Sequence, residues 1–415
     1  MADLSIDFAG IKSPNPFWLA SGPLANSAYQ VQKAFDLGWG GAVWKTLGDP
    51  VVNVYSRYGG LDYHGSRLMG LNNNELVTDR PLEVNYKEIA DTKKKYPQHA
   101  LIASLMFESK EAWQENIKRS IDAGADGLEL NFGCPHGMCE RGMGSAVGQE
   151  PSVLQEITQW VMEYSTIPVI VKLTPNISDI SEPGKAAMAA GAQGVALINT
   201  IKSIISVDID TFSPIPSVDG KGTNGGYCGP AVKPIALHMV GTLSRLPNWK
   251  PLISGIGGIQ TWRDAVEFIL LGSTSLQVCT AAMHYGYRII DELTQGLSDY
   301  MDKKGFVSIE DFRGKAVENF VGWNQLNLNY KVVADINNKQ CIECQKCVAA
   351  CDASGHQCIH VNKGSRVPSV DQEACVGCNL CSLVCPVNGC IDMKEIDSGK
   401  PFMNWQQYNK RDVMA

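Results

Sequence analysis

At 415 residues, with 44% hydrophobic and 19% charged side chains, the chain can hold one large domain and one small one, and its composition is that of a globular protein. A net charge of −7 gives no basic footprint for nucleic acid or an anionic membrane. No apolar run approaches a membrane span, and the start Met1-Ala-Asp-Leu-Ser-Ile-Asp has neither the basic nor the apolar part of a secretory signal, so a cytoplasmic location is expected.

The first 300 residues alternate short apolar runs with amphipathic stretches. Eight runs read as strands: Pro16–Ala20, Gly41–Leu47, Leu101–Phe107, Gly127–Phe132, Pro168–Leu173, Gly194–Asn199, Pro251–Ser254 and Ser275–Cys279. They show little polar alternation, as suits strands buried on both faces of a parallel sheet. Helical stretches such as Lys110–Ala123, Val153–Tyr164, Ile180–Ala190 and Thr261–Leu271 lie between them, several ending in Gly-containing joints that suit left-handed C-caps. Eight βα units predict an α/β fold of the TIM (β/α)8 barrel type. The alternative is an open doubly wound sheet, and the missing GxGxxG after strand one counts against it. Residues 48–98 and 201–231 are long interruptions after strands two and six, the kind of loop in which a barrel keeps its active site. The stretch Asp291–Asn329 reads as mostly helical.

Strand four runs through Glu129-Leu-Asn131-Phe and breaks at Gly133-Cys134-Pro135. A cysteine held between Gly and Pro at a strand end presents its thiol at the catalytic rim of a barrel, although an inert buried thiol is the commoner fate of cysteine. The Gly- and Met-rich loop from Pro135 to Gln149 could close over such a site.

Fourteen cysteines are present; Cys134, Cys139, Cys228 and Cys279 precede residue 340, and ten crowd between Cys341 and Cys390. That shift predicts a boundary, with a barrel domain over 1–330 and a ferredoxin-like domain over 331–415. Two runs share one spacing: Cys341-x2-Cys344-x2-Cys347-x3-Cys351 and Cys375-x2-Cys378-x2-Cys381-x3-Cys385-Pro386. Three cysteines on a tight loop wrap three iron corners of a cubane, and the fourth ligates the other cluster. Cys341, Cys344, Cys347 and Cys385 are thus assigned to one [4Fe-4S] centre, and Cys375, Cys378, Cys381 and Cys351 to the other. Paired zinc sites would leave the third and fourth cysteines of each run surplus. Asp352 stands where proline is expected after Cys351, and Cys358 and Cys390, each before an Ile, read as small apolar fillers.

Clusters carry single electrons, and a flavin converts them to two-electron chemistry. The rim offers the parts for one. Ser254-Gly255-Ile-Gly257-Gly258-Ile after strand seven and Cys279-Thr280-Ala281 after strand eight can cradle a phosphate. Lys45 and Lys172 lie on strands two and five, where an unpaired buried charge is costly and a lysine could stabilise a reduced ring. Asn131, Asn199 and Thr200 end strands four and six, and their amides and hydroxyl could read alternating N–H and C=O groups, though each alone could be a turn residue.

These residues resemble a known family. Ala20-Ser21, Trp44-Lys45-Thr46, Asn73, Glu129 to Met138 with Cys134-Pro-His-Gly, Lys172-Leu-Thr-Pro-Asn176, Asn199-Thr200, Gly225-Gly226 through Gly229, Gly257-Gly258-Ile and Gln277-Val-Cys279-Thr280 resemble the dihydropyrimidine dehydrogenases. The likeness spans nearly the whole chain and is greatest to the bacterial subunits that carry the FMN barrel and the ferredoxin domain. It implies that Ala20, Ser21, Lys45, Thr46, Lys172, Gly229, Gly257, Gly258, Cys279 and Thr280 hold FMN. It further implies that Asn73, Asn131, Asn199 and Thr200 hold uracil or thymine, and that Cys134 is the general acid for C5 while hydride reaches C6. Gly133 stands where the resemblance expects a serine. A nucleotide-binding strand–GxGxxG–helix unit is missing, so a separate FAD-containing subunit that oxidises NADH or NADPH is the expected partner in a hetero-oligomer. An ordinary thiol is mostly protonated near neutrality and suits the acid role. Oxidation of dihydroorotate and a pure electron-transfer role are the competing readings. Cys139, Cys228 and Arg141 receive no role.

Overall fold

Eight parallel strands close into a barrel, each hydrogen-bonded to its neighbours in chain order: Phe17–Leu19, Gly41–Leu47, Ala100–Leu105, Gly127–Asn131, Val169–Lys172, Gly194–Leu197, Leu252–Ile256 and Ser273–Val278. All eight expected strands are present, and the closed order rules out the open sheet. The reason is the apolar content: strands two, three, five, six and eight are buried along their whole length, so both faces need cover. Helices supply that cover from outside. Those at Lys110–Asp122 and Trp262–Leu270 begin with Ser109 and Thr261 accepting from the backbone N–H three residues on. Gly124 and Gly191 turn out of their helices with φ of +81° and +90°. A hairpin of Ile6–Phe8 and Ile11–Ser13 precedes strand one, and Phe8 packs on Trp18 with ring centroids 5.6 Å apart.

The computed structural model describes residues 2–49, 54–63, 65–135, 142–354, 356–397, 399 and 401–407. They form two compact units, Met1–Phe320 and Val321–Ala415. Among the described residues no helix is long and apolar enough to cross a membrane.

Two stretches depart from expectation. The long interruptions are not irregular: Ile201–Ser203, Gly225–Cys228, Ser66–Asn73 and Tyr58–Tyr63 pair as one four-stranded antiparallel sheet. A helix at Leu82–Lys95 follows. The stretch Asp291–Asn329 is helical only at its start. The helix Ile289–Lys304 stops at left-handed Gly305, and only short turns at Ile309–Asp311 and Trp323–Gln325 come after it. A glycine at φ +75° ends the α-helical hydrogen-bond ladder, whatever the propensity beyond it.

In the second unit, Val332–Ile336 pairs with Ile391–Glu395, and Ile359–Val361 pairs with Pro368–Val370, both antiparallel. Helices Lys346–Ala353 and Leu380–Val384 each start just after a cysteine-bearing loop. The two loops match residue for residue in conformation: Glu343 and Gln345 sit at φ +61° and +58°, Gly377 and Asn379 at +70° and +65°. At Gly377 a Cβ would lie 2.4 Å from the Val332 carbonyl oxygen, so no other residue fits there.

Candidate active site and cluster cavities

An open cavity lies at the C-terminal ends of the barrel strands. Every residue expected to touch flavin or substrate lines it: Ala20, Ser21, Lys45, Thr46, Asn73, Asn131, Cys134, Lys172, Asn199, Thr200, Gly229, Gly257, Gly258, Cys279 and Thr280. Strand ends converge at this rim because a tilted parallel barrel gathers the ends of all its strands around one opening.

The polar strand ends are linked. Asn199 Nδ2 donates to Asn131 Oδ1 at 2.9 Å, and Asn131 Nδ2 donates to Thr46 Oγ1 at 3.0 Å. Thr46 Oγ1 also lies 3.1 Å from Ser21 Oγ and 3.0 Å from Ser104 Oγ. Asn73 enters from the antiparallel sheet and donates to the Gly226 carbonyl at 2.8 Å. Each amide is thus fixed by a neighbour rather than left to rotate. Gly133 is explained by the same cluster, since a Cβ there would lie 2.4 Å from Asn199 Cβ and 2.5 Å from Asn199 Nδ2. The serine that the resemblance anticipates has no room beside this Asn199. Gly133→Ser is expected to displace Asn199 and break its hydrogen bond to Asn131 while the protein stays folded; a crystal structure of the variant with Asn199 in its present place would refute this.

Cys134 is buried in a small apolar group with Val77, Met106 and Met143. Its carbonyl accepts from the Ser145 N–H at 2.9 Å, which pins the returning chain to the strand end. Residues 136–141, including Cys139 and Arg141, lie outside the described residues. Of the loop that was expected to close over the site, Ser145–Gly148 forms one helical turn.

Both lysines are paired. Lys172 Nζ donates to Glu129 Oε1 at 3.2 Å and to Gln277 Oε1 at 3.4 Å, and Gln277 Nε2 donates to Glu129 Oε2 at 2.7 Å. These three side chains are buried inside the barrel, and Lys172 and Gln277 reach the cavity lining. Lys45 makes an ion pair with Glu75, which also accepts from Tyr58 Oη at 2.5 Å and Arg57 Nη1 at 3.1 Å. Burial opposes charge on Glu75, but Lys45, Tyr58 and Arg57 outweigh it and hold the carboxyl below its ordinary range. Glu75, Tyr58, Gln277 and Cys228 also line the cavity, and none of them was given a role from the sequence. Glu129 and Gln277 could have been found, because each is a polar residue inside an otherwise apolar strand. Glu75 carries no comparable mark within its long loop. Cys228 donates to the Leu71 carbonyl at 3.2 Å and accepts from Thr280 Oγ1 at 3.2 Å. Burial pushes the Cys279 thiol up to about 12.

The cavity fits a flavin nucleotide in two respects. Gly258 has φ +77°, and a Cβ on it would meet the Gly229 oxygen at 2.9 Å and the Lys233 nitrogen at 3.0 Å, so bare backbone faces the start of the helix Lys233–Ser244. Paired lysines and fixed amides stand at the other strand ends, where a ring and its substrate need donors.

In the second unit two cavities are lined by cysteine. One is lined by Cys351, Cys358, Cys375, Cys378 and Cys381. The other is lined by Cys341, Cys344, Cys347, Cys385 and Cys390. The fourth cysteine of each run therefore faces the cavity of the other run. Soft thiolates ringing a void fit an iron–sulfur cubane.

Comparison with known proteins agrees. Residues 3–301 match the family model of dihydroorotate dehydrogenase, and residues 334–393 match that of a 4Fe-4S dicluster domain. The chain is 43% identical over 396 residues to the NAD-dependent dihydropyrimidine dehydrogenase subunit PreA of Escherichia coli (strain K12), covering 95% of this chain and 96% of that one. It is 44% identical over 331 residues to the chloroplastic dihydropyrimidine dehydrogenase (NADP(+)) of Arabidopsis thaliana, covering 77% and 78%. The catalytic subunit of dihydroorotate dehydrogenase B (NAD(+)) from Pyrococcus horikoshii is 36% identical over 317 residues, covering 76% of this chain and 98% of that one. Among solved structures, the ligand-free DHODH of Eimeria tenella superposes with a TM-score of 0.64 at 18% identity, over 76% of this chain and 92% of that one, a likeness of fold. Barrel and cysteine-lined unit together define an iron–sulfur oxidoreductase. The chain belongs to the dihydroorotate dehydrogenase family and carries a 4Fe-4S dicluster domain C-terminal to the barrel in sequence.

Proposed function

We propose that the chain is the catalytic subunit of a dihydropyrimidine dehydrogenase, interconverting uracil or thymine and the 5,6-dihydropyrimidine. The observation that carries this reading is the 43% identity over 95% of the chain to a subunit of that name. On this reading Ala20, Ser21, Lys45, Thr46, Lys172, Gly229, Gly257, Gly258, Cys279 and Thr280 hold FMN. Bound there, FMN supplies a hydride for C6. Asn73, Asn131, Asn199 and Thr200 orient the pyrimidine, Glu75 can accept from one of its N–H groups, and Cys134 Sγ gives the proton to C5. Burial of Cys134 among Val77, Met106 and Met143 keeps water away from the transfer. Cys341, Cys344, Cys347 and Cys385 hold one [4Fe-4S] cluster, and Cys375, Cys378, Cys381 and Cys351 hold the other, in a ferredoxin-like domain of residues 331–415 that follows a barrel domain of residues 1–330 in sequence. Electrons come from an FAD-containing subunit that oxidises NADH or NADPH, which makes the working enzyme a hetero-oligomer in the cytoplasm.

The family model and the archaeal relative favour dihydroorotate as the second reading. A carboxylated substrate calls for an uncommitted cation, whereas both lysines of the cavity are already paired with carboxylates. Anaerobic addition of dihydrouracil to the purified protein is expected to bleach the bound flavin, and dihydroorotate is expected not to. Bleaching by dihydroorotate alone would transfer the chain to the second reading. Bleaching by neither would reduce it to an electron carrier.

A further inference from the structure

Each cysteine-lined cavity contains a fifth cysteine beyond the four of the cubane spacing, and the two occupy matching places, Cys358 before Ile359 and Cys390 before Ile391. Cys358 does more than fill space. It is buried, its Sγ lies 3.4 Å from Cys351 Sγ, and its backbone N–H donates to the same sulfur at 3.4 Å. The direction of the sulfur–sulfur contact follows from chemistry. A cysteine that ligates iron does so as thiolate and has no proton to give, so the proton between the two sulfurs belongs to Cys358.

We propose that Cys358 donates an S–H hydrogen bond to the ligand sulfur of Cys351 and thereby raises the reduction potential of the cluster in that cavity. This rests on the two-cluster reading above. Reduction adds negative charge that spreads over the cluster and its thiolates, and a donor at a ligand sulfur is worth more in the charged state than before it. The backbone N–H of Cys358 is a second donor at the same sulfur. Cys358 is a positioning residue: it keeps its own proton and directs it at a ligand sulfur.

The test is an EPR-monitored redox titration of the full-length, anaerobically purified protein, with iron and acid-labile sulfide counted in each sample. Wild type is expected to hold about eight irons per chain. Wild type without iron overturns the cluster reading itself, separately from this proposal. Cys358→Ala is expected to keep its iron and to shift one of the two midpoint potentials to more negative values while the other stays put. Cys358→Ser, which retains a donor, is expected to recover most of that shift. Unchanged potentials in the alanine variant at full iron content overturn the proposal and leave Cys358 a filler. Loss of about half the iron in both variants overturns it too, since Cys358 would then hold the cluster rather than tune it. Where alanine loses iron and serine does not, the infrared S–H stretch decides. A band that moves to lower frequency on cluster reduction in wild type and is missing from Cys358→Ser supports the proposal, and the absence of any such band overturns it.

Discussion

Replacing Cys134 by alanine is expected to leave flavin and iron content at wild-type levels and to lower uracil turnover by about 10²- to 10⁴-fold, the usual contribution of a general acid. The change removes one sulfur atom from a small apolar group of Val77, Met106 and Met143 and leaves the backbone bond from Ser145 to the Cys134 carbonyl in place. Folding is therefore little affected, and a large kinetic loss would report chemistry. A second readout separates acid from filler. In D2O the wild type should place deuterium stereospecifically at C5 of dihydrouracil, and in the variant that transfer should become the slow step, with a larger solvent isotope effect on turnover. Cys134→Ser preserves size but offers a far weaker acid, so it should lie near the alanine variant. Uracil reduction within about tenfold of wild type in either variant would remove Cys134 from the acid role.

The barrel was legible because its strands are apolar on both faces and because glycine joints such as Gly124 and Gly191 mark where each helix yields to the next strand. The antiparallel sheet at the cavity was not, since two of its strands have only three or four residues, the others are interrupted by Gly and polar residues, and half of its pairing spans long sequence distances, as Asn73 with Gly226. The segment after Lys304 looked helical by composition, and one left-handed glycine settled otherwise. Among site residues, the cysteine runs and the strand-end polar groups announce themselves through spacing and register. Glu75 does not: its meaning comes from Lys45 and Tyr58, which fold to it from elsewhere. Gly133 shows how a small departure carries information, because the space its missing side chain leaves is taken by Asn199. Cys358 looked like an apolar filler for a similar reason, since only folding brings it against Cys351.

Lys172 is where fold and site cannot be changed independently. Its side chain is 4% exposed, that of its partner Glu129 is 0% exposed, and the two meet inside the barrel at 3.2 Å. Gln277 bridges them and also donates to Ser254 Oγ at 3.2 Å, so each Glu129 oxygen has one donor, Lys172 or Gln277. Lys172→Met leaves that carboxylate buried without a cation, which costs about 3–5 kcal/mol. The variant should unfold at markedly lower urea concentration and bind FMN less tightly. Adding Glu129→Gln removes the stranded charge, and the double variant is expected to regain stability to within about 1 kcal/mol of wild type, a coupling that a double-mutant cycle reads directly. Activity should not follow. Lys172 also lines the flavin cavity, and losing a preorganised charge at a reacting centre typically costs about 10²- to 10³-fold. A double variant that is both stable and fully active would confine Lys172 to a structural role and leave Lys45 as the cation beside the flavin.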